Sequence, residues 1–421
     1  MPYISIPYGK DTLGINIPDA NFLGCYPPNT VVFPADENNL LTAAIDNPIG
    51  SSPLGEIVKP GQKVAIICDD ITRPTPAYKI APLLLERLHA AGIAAADIFF
   101  VLALGSHRDM TPAEIEQKLG KEIPSRYRVY NSRFRDSAGL VDLGMAPGGV
   151  RVWADKNAMS ADIRIGIGSI VPHPAVGWSG GGKIIYPGVA GENTVAQFHL
   201  QHGKAGWNMF GADECPVRLN MEAWVDTVGL HFIVNIVGSP DGRIYRAVAG
   251  NYVKAQRAGV VYAKELYGIR IPQRADVVIA SSYPSDDDFW QASKAILPGD
   301  LLAKDGGTVI IVTPCPEGVG PHPRYMEYIG NKDVDALLKQ AEEGGDHDLV
   351  ALPVAATVAR IQQRIRLAIV STGLKAADAR LADMDHYSTL DQALHAALQR
   401  AGQHAQVAVL PYGAEIVPLI E

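Results

Sequence analysis

Val64-Ala-Ile-Ile-Cys68 and Ile98-Phe-Phe-Val-Leu-Ala-Leu104 are short apolar runs, and a helical pattern from Ala77 to Ala91 separates them. Apolar runs of this length are typical of strands that are buried on both faces of a sheet. The intervening segment has its apolar residues at helical spacing, namely Ile80, Leu84, Leu85 and Leu88. A strand, a helix and a second strand in this order predict a βαβ unit with parallel strands.

The same alternation of apolar runs and helical patterns continues along the chain. Further strands are predicted at 163–168, 231–237, 277–280, 308–312, 366–370 and 407–410. Further helices are predicted at 289–296, 333–343, 354–364 and 388–401. We therefore predict an α/β fold made of two α/β domains with mainly parallel sheets. The stretch 267–274 precedes the second set of strands, so we divide the chain there into domains 1–270 and 271–421.

The helix that follows the second strand has clear signals at both ends. Thr111 is the predicted N-cap, Pro112 takes the first helical position, and Glu114 completes a capping box. Gly120 follows the last helical residue, where glycine commonly ends a helix. The helix is therefore predicted to lie between Thr111 and Gly120.

Composition limits the classes of protein to which the chain can belong. The 421 residues are enough for two or three domains, and the net charge of −8 without Lys/Arg clusters argues against nucleic acid and acidic membranes. No apolar run is long enough to span a bilayer, and no signal-peptide pattern is visible. The four cysteines lack paired spacing, which indicates a reducing compartment and no cysteine-ligated metal. We expect a cytoplasmic enzyme.

Polar segments follow three of the predicted strands, at 69–76, 105–111 and 172–183. The carboxyl ends of parallel strands meet at one edge of a sheet, where ligands bind in open α/β folds. Gln291 and Lys294 belong to the second domain and are three residues apart, so a helix places both on one face. The alternative for this pair is a solvated helix face. The pattern predicts an active site in an interdomain cleft.

Three consecutive glycines precede Lys183, namely Gly180, Gly181 and Gly182. Glycine lets the backbone approach a bound group closely. The spacing from Gly177 to Lys183 matches most of a phosphate-binding Walker pattern, but Ile184 stands where a hydroxyl residue ligates Mg²⁺. An NTPase is therefore not expected, and Lys183 needs another role.

Arg73 and two histidines are candidates for substrate binding and catalysis. Arg73 can bind a carboxylate or phosphate through two hydrogen bonds, and Asp70 can orient it. The alternative for this pair is an ordinary capping interaction in a loop. His107 and His173 each follow a predicted strand, and imidazole can both take and return a proton near neutral pH. Two histidines at one sheet edge can therefore serve as an acid/base pair.

Other histidines leave the question of a metal open. His199 and His202 are three positions apart, so a helix places both on one face as possible ligands. No third ligand has a recognisable spacing, and the alternative is one histidine that serves a metal centre made mostly by a cofactor. His322 follows a strand-end loop and is either a site residue or part of the scaffold.

Taken together, these segments resemble the nickel-dependent lactate racemase family of 2-hydroxyacid racemases and epimerases. The resemblance covers nearly the whole chain. It rests on the combination of Asp70-Ile-Thr72-Arg73, His107, His173, Gly180-Gly-Gly-Lys183, His199 and Gln291-Ala-Ser-Lys294.

The resemblance implies a cofactor and a role for each matching residue. In that family the cofactor is a nickel-pincer nucleotide, a pyridinium mononucleotide whose two sulfur-containing arms hold nickel. Lys183 matches the lysine that carries it covalently, and His199 matches the nickel ligand. His107 and His173 match the acid/base pair. The matching substrate-binding positions are Arg73, Asp70, Gln291 and Lys294, and those that bind the cofactor are Lys183, Thr72, Gly180, Gly181 and Gly182.

The resemblance also implies a reaction and its partners. The C2 hydride of a 2-hydroxyacid passes to the cofactor ring while one histidine takes the hydroxyl proton, and return to the opposite face inverts the centre. The expected partners are the small 2-hydroxyacid substrate and the proteins that synthesise the cofactor. Lactate, malate, aromatic 2-hydroxyacids and sugar acids all remain candidate substrates. Two other classes stay open: a zinc-dependent hydrolase using His173, His199 and His202, and a non-catalytic nucleotide-binding module.

Overall fold

The computed structural model describes residues 1–146 and 149–421. Its strands are β1 (Tyr3–Tyr8), β2 (Asp11–Asn16), β3 (Phe22–Cys25), β4 (Val64–Asp69), β5 (Ile98–Ala103), β6 (Arg128–Asn131), β7 (Leu140–Ala146), β8 (Val150–Asp155), β9 (Ile163–Ser169), β10 (Pro172–His173), β11 (Gly177–Trp178), β12 (Phe232–Gly238), β13 (Ile244–Gly250), β14 (Gly268–Ile271), β15 (Ala275–Ser281), β16 (Ala303–Val312), β17 (Arg366–Val370), β18 (Asp385–Tyr387), β19 (Val407–Leu410) and β20 (Val417–Ile420).

The α-helices alternate with these strands through most of the chain. They are α1 (Glu37–Asp46), α2 (Leu54–Ile57), α3 (Ala77–Ala90), α4 (Pro112–Leu119), α5 (Glu122–Arg126), α6 (Lys156–Met159), α7 (Glu192–Lys204), α8 (Pro216–Val228), α9 (Lys254–Tyr267), α10 (Phe289–Ala292), α11 (Ile296–Leu302), α12 (Tyr325–Gly330), α13 (Val334–Glu343), α14 (Ala351–Gln362), α15 (Ala376–Leu381) and α16 (Leu390–Ala401). None of the helices in the two described ranges is both long and apolar enough to cross a membrane.

The first large sheet has the order β13-β12-β9-β4-β5-β6. Its strands are parallel except β13, which pairs antiparallel with β12. The chain enters this sheet at β4 and continues outward through β5 and β6. It then returns to the other side of β4 with β9. The direction of winding therefore reverses between β4 and β9, and a crevice opens at the carboxyl ends of these two strands.

The second large sheet has the order β18-β17-β16-β15-β19-β3, and its strands are parallel. Each predicted strand is present in one of the two sheets, so the prediction of an α/β fold with mainly parallel sheets is confirmed. The alternation along β4 shows why: Ile66 packs with α3 on one face, and Ile67 packs in the larger core on the other. A strand with apolar neighbours on both faces requires a continuous apolar run.

The first residues of the chain pack with the second sheet. β3 pairs in parallel with β19, and Ile6 and Ile15 of the β1-β2 hairpin pack in the core that covers the outer face of β15 and β16. The sequence division had placed residues 1–270 together. A strand pattern predicts a strand but carries no information on which sheet it joins.

The predicted helices are present, with one interruption. The capping box of α4 is formed, because Thr111 accepts from the Glu114 amide at 3.3 Å and the Glu114 carboxylate accepts from the Thr111 amide at 2.7 Å. The segment predicted as one helix at 289–296 is instead α10, a 3₁₀ turn and the start of α11. The 3₁₀ turn covers Ser293–Ala295, and the Lys294 ammonium still donates to the side-chain oxygen of Gln291.

Candidate active site

A cavity of about 150 Å³ lies at the carboxyl ends of β4, β5 and β9, where the first sheet reverses its winding. Asp70 follows β4, His107 follows β5, and Ser169 ends β9, and all three line the cavity. Gln291 and Lys294 of the second domain line it as well. The predicted interdomain cleft is therefore the place where the candidate residues meet.

The His107 ring is bonded at both nitrogens. Its Nδ1 lies 2.5 Å from Oδ2 of Asp70, and its Nε2 lies 2.6 Å from the side-chain nitrogen of Gln291. The Gln291 oxygen accepts from Lys294 and, at 3.4 Å, from Arg73, so its NH₂ group faces His107. An NH₂ group only donates, so Nε2 must accept and the ring proton is on Nδ1. In this arrangement His107 presents a basic lone pair at Nε2.

Asp70 fixes this tautomer because it stays ionised. Burial opposes ionisation, but the His107 ring, the hydrogen bond to it and the Arg73 guanidinium outweigh that effect and hold the Asp70 pKa well below its usual range. Its other oxygen, Oδ1, accepts from the Thr72 hydroxyl at 2.6 Å. Arg73 in turn donates to the Thr72 hydroxyl at 3.0 Å. Thr72 therefore connects the aspartate to the arginine and is not among the residues that line the cavity.

His173 lies on the short β10-β11 hairpin and is held differently. Its Nδ1 accepts from the backbone amide of Ala175 at 3.2 Å, which places the proton of the neutral ring on Nε2. Burial lowers the His173 pKa well below its usual value, and the cations Lys183, Arg73 and Lys294 lower it further. The neutral ring is therefore the stable form, and a proton placed on it is weakly held.

Lys183 follows the glycines and lines the cavity, half-buried. Burial and the nearby Arg73 charge lower its pKa to about 7, although Asp70 and Asp69 oppose the shift. Its ammonium forms no hydrogen bond or ion pair with the residues that the structure describes. A lysine with this pKa is largely a neutral amine above neutral pH and can act as a nucleophile.

The three glycines pack against the protein. At Gly180, where φ is 75°, a Cβ would lie 2.7 Å from the Asn235 side chain and from that of Ile170. The Gly181 amide donates to Asn235 at 2.8 Å. Gly180 and Gly181 line the cavity, whereas Gly182 packs against Val225 outside it. Close packing on β12 and α8 therefore explains these glycines at least as well as approach to a ligand.

His199 and His202 lie on α7, and both line the cavity. The His199 ring contacts Phe198 and Trp290 edge to face, but its Nδ1 has no hydrogen-bond partner within the described part of the chain. Neither ring nitrogen of the buried His202 has one there either. Burial lowers the pKa of both histidines, that of His202 to about 4, so both rings are neutral.

A metal site made wholly by protein is not assembled here. Across residues 1–146 and 149–421, no three His, Cys, Asp or Glu side chains are grouped so that they could hold a metal ion. The zinc site considered for His173, His199 and His202 therefore has no geometric support.

Both halves of the chain match models of known domain families. Residues 8–208 match the lactate racemase N-terminal domain, and residues 271–418 match the lactate racemase C-terminal domain. The lactate racemase of Lactiplantibacillus plantarum is 30% identical over 428 residues, which cover 99% of this chain and 100% of that protein. The chain belongs to the lactate racemase family.

Solved structures agree with this assignment to the lactate racemase family. The lactate racemase of Thermoanaerobacterium thermosaccharolyticum is 28% identical over 99% of both chains. Its apoprotein structure matches with a TM-score of 0.89 over 99% of this chain and 100% of that one. A Thermotoga maritima protein matches with a TM-score of 0.70 at 17% identity over 91% of this chain and 97% of that one, which shows a shared fold alone. The chain is accordingly an isomerase of the racemase class.

His322, left open by its sequence, lies behind the cavity and contacts two residues that line it, Ser106 and Trp290. The ring is fully buried, with Nδ1 2.6 Å from Oδ2 of Asp348 and Nε2 3.3 Å from the hydroxyl of Ser106. Ser106 lines the cavity and precedes His107, so His322 contacts the loop that carries His107 from the second domain. The Trp290 ring packs against that of His322 in a tilted arrangement, with ring centroids 4.2 Å apart and an interplanar angle of 47°. These partners lie far from His322 in sequence, so no local spacing predicts them.

Proposed function

We propose that this protein racemises lactate or a closely related 2-hydroxyacid by inverting C2. The observation that carries the proposal is the pair His107 and His173, two imidazoles that line one cavity beside Arg73 and Lys294 and whose ring nitrogens have different hydrogen-bond partners. The names of its relatives favour lactate among the 2-hydroxyacids. A nucleotide-binding module has no need for two imidazoles with separately fixed tautomers.

Arg73 binds the substrate carboxylate in this proposal. Its Nη1 is already engaged with Thr72 and Gln291, which orients the guanidinium and leaves its other donors for the ligand. Lys294 lies beside it and shares the Gln291 oxygen, so two cations face an anionic substrate. Burial and the neighbouring Arg73 and Lys183 charges lower the Lys294 pKa well below its usual value. A bound carboxylate relieves this repulsion and favours the charged lysine.

The two histidines move the hydroxyl proton. His107 accepts it at Nε2, displacing the Gln291 NH₂ group, and the ionised Asp70 stabilises the imidazolium that forms. His173 holds a proton weakly and returns it readily to the substrate oxygen. Each conversion therefore requires one imidazole ring to begin neutral and the other to begin protonated. The direction of conversion determines which histidine begins in which state. No proton is gained or lost overall, because substrate and product differ only in configuration.

The residues present fit a nickel-pincer nucleotide. Lys183 supplies an unpaired amine of lowered pKa, which suits covalent attachment, and His199 supplies a neutral imidazole with an unpartnered nitrogen, which suits Ni(II). When bound, this cofactor supplies a ring that accepts and returns the C2 hydride. In this proposal, Asp70, Thr72 and Gln291 position Arg73 and His107. The glycine loop positions Lys183. Loading then depends on cofactor-synthesis proteins, and the four free cysteines support a reducing, cytoplasmic location.

The test uses protein made in a host that synthesises the cofactor. We expect interconversion of the two lactate enantiomers in a chiral assay, and an added mass on the peptide that contains Lys183. Lys183→Ala should lose both the added mass and the activity while it keeps its fold, because the side chain faces the cavity and not the core. Lys183→Arg is the matched control, since it keeps the positive charge but forms no such attachment. Wild-type turnover by either variant would refute the cofactor assignment.

A further inference from the structure

Lys118 is a buried cation that the proposed mechanism does not use. It lies in the last turn of α4 and is 3% exposed. Its ammonium lies 2.6 Å from Oδ1 of Asp69 and donates to the backbone carbonyls of Asp70 and Arg73, each at 2.9 Å. The three oxygens belong to one short segment of chain, the segment that carries Asp70 and the substrate-binding Arg73.

The segment is a tight turn, and Lys118 contacts it from inside. The Arg73 amide donates to the Asp70 carbonyl at 3.2 Å, and the Lys118 ammonium bonds that same carbonyl together with the one at the far end of the turn. The ammonium therefore donates to both ends of the turn, and its charge lies against the Asp69 carboxylate. Buried carbonyls without a partner are costly, so this turn keeps its shape only while a donor lies behind it.

The same ammonium also neutralises Asp69. The Asp69 carboxylate lines the cavity, and its Oδ2 accepts from Thr75 at 2.5 Å. Without Lys118, this carboxylate would be a partly buried anion without a counter-ion, four residues before Arg73 in the sequence. A guanidinium prefers a carboxylate partner with which it can form two hydrogen bonds. Asp69 would then compete with the substrate for Arg73.

We propose that Lys118 is a positioning residue of the active site: it holds the Asp70–Arg73 turn in shape and keeps Asp69 away from Arg73, so that the guanidinium stays available to a carboxylate. The inference that this affects catalysis rests on the proposed function, in which Arg73 binds the substrate. The inference that Lys118 stabilises the turn rests only on the contacts of Lys118.

Two variants separate positioning from simple charge burial. Lys118→Met removes the ammonium but leaves the partly buried Asp69 without a counter-ion, which can prevent folding. Lys118→Met/Asp69→Asn removes both charges, and the asparagine oxygen still accepts from Thr75. Lys79→Met is the matched control, because Lys79 also lies in a helix of the first domain and pairs with Glu37 at 2.7 Å, away from the turn.

Hydrogen exchange followed by mass spectrometry on the apoprotein tests the hold on the turn. In the double variant, the Thr72 and Arg73 amides should exchange at least about tenfold faster than in the wild type, since a hydrogen bond to a charged donor is lost at each end of the turn. In Lys79→Met their exchange should stay at the wild-type rate. Unchanged exchange in the double variant would overturn the proposal.

Steady-state kinetics on the loaded enzyme test the consequence for Arg73. The double variant should raise KM by about tenfold or more and change kcat less, because the misplaced guanidinium binds the carboxylate poorly. A wild-type KM in the double variant would overturn the positioning role even if exchange is faster. If the wild-type enzyme racemises nothing, the proposed function falls instead, and the exchange rates still decide whether Lys118 holds the turn.

Discussion

Two sets of residues make up the site at the cavity, and they differ in how their polar groups are satisfied. In the bonded set each side chain hydrogen-bonds another member directly or through Thr72; the set consists of Asp70, Thr72, Arg73, His107, Gln291 and Lys294. The unpartnered set has nitrogens without a hydrogen-bond partner in the described ranges; it consists of Lys183, His199 and His202.

The difference indicates what each set is for. A connected network fixes side-chain positions and tautomers before the substrate arrives, which is what acid/base and anion-binding groups need. Buried polar groups without partners are rare in native proteins and usually await a ligand, an ion or water. The bonded set is therefore complete within the chain, whereas the unpartnered set is suited to a group that the chain does not supply.

The largest expected effect concerns the two histidines at the cavity. General acid–base catalysis contributes roughly 10²–10⁴-fold in rate, so His107→Ala and His173→Ala should each lose that much steady-state racemisation in both directions. Single-turnover experiments with each pure enantiomer should separate them, with reduction of the cofactor ring as the signal. One enantiomer should readily reduce the cofactor ring in His107→Ala, and the other enantiomer should reduce it in His173→Ala. The same response of both variants to both enantiomers would contradict a two-base site.

A second prediction tests Lys183 without any turnover. Because its pKa is lowered to about 7, acylation of the apoprotein at Lys183 should reach half its maximal rate at about pH 7 instead of near 10.5. Labelling measured by mass spectrometry across pH 6–11 checks this, with Lys339, whose side chain is 72% exposed, as the comparison. Identical pH profiles for the two lysines would show that the Lys183 amine is not activated.

The site was predicted from the sequence best where residues follow strands. The apolar runs predicted β4, β5 and β9, and polar residues placed after parallel strands must meet at one edge, so Asp70, His107 and His173 were brought together by topology alone. Partners joined only by the fold were not predicted. The contacts of Ser106 with His322, and of β3 with β19, depend on packing between segments that carry no mutual pattern.

The third prediction concerns the two histidines of the unpartnered set and which of them binds nickel. His199 is the proposed nickel ligand, so His199→Ala purified with cofactor should lose most of its nickel, whereas His202→Ala should lose little. Metal analysis by mass spectrometry, normalised to the mass added at Lys183, separates loss of nickel from loss of cofactor. If His202→Ala were the variant that lost nickel, the ligand would lie one helical turn further along α7.

The smallest expected effect is on stability, and it concerns His202. Both ring nitrogens are buried without partners in the part of the chain that the structure describes, so an apolar side chain of similar size should be tolerated or preferred. His202→Leu should raise the free energy of unfolding of the apoprotein by about 1–3 kcal/mol, the usual cost of an unsatisfied buried polar group. Urea denaturation at pH 7.5 measures this, and His404→Leu at an exposed position is the control.

The pH dependence of the same variant gives the sharper test. Burial lowers the His202 pKa from 6.5 to about 4, so below pH 6.5 the unfolded chain takes up a proton that the folded chain refuses. Wild-type stability should therefore fall as the pH drops from 6.5 towards 4, and this one group accounts for up to about 3 kcal/mol of the loss. In His202→Leu that part of the fall should disappear, so the stability difference between the two proteins should widen on acidification. A difference that stays constant between pH 7.5 and pH 5 would mean that His202 has a partner in the folded protein, which would move it from the unpartnered set to the bonded one.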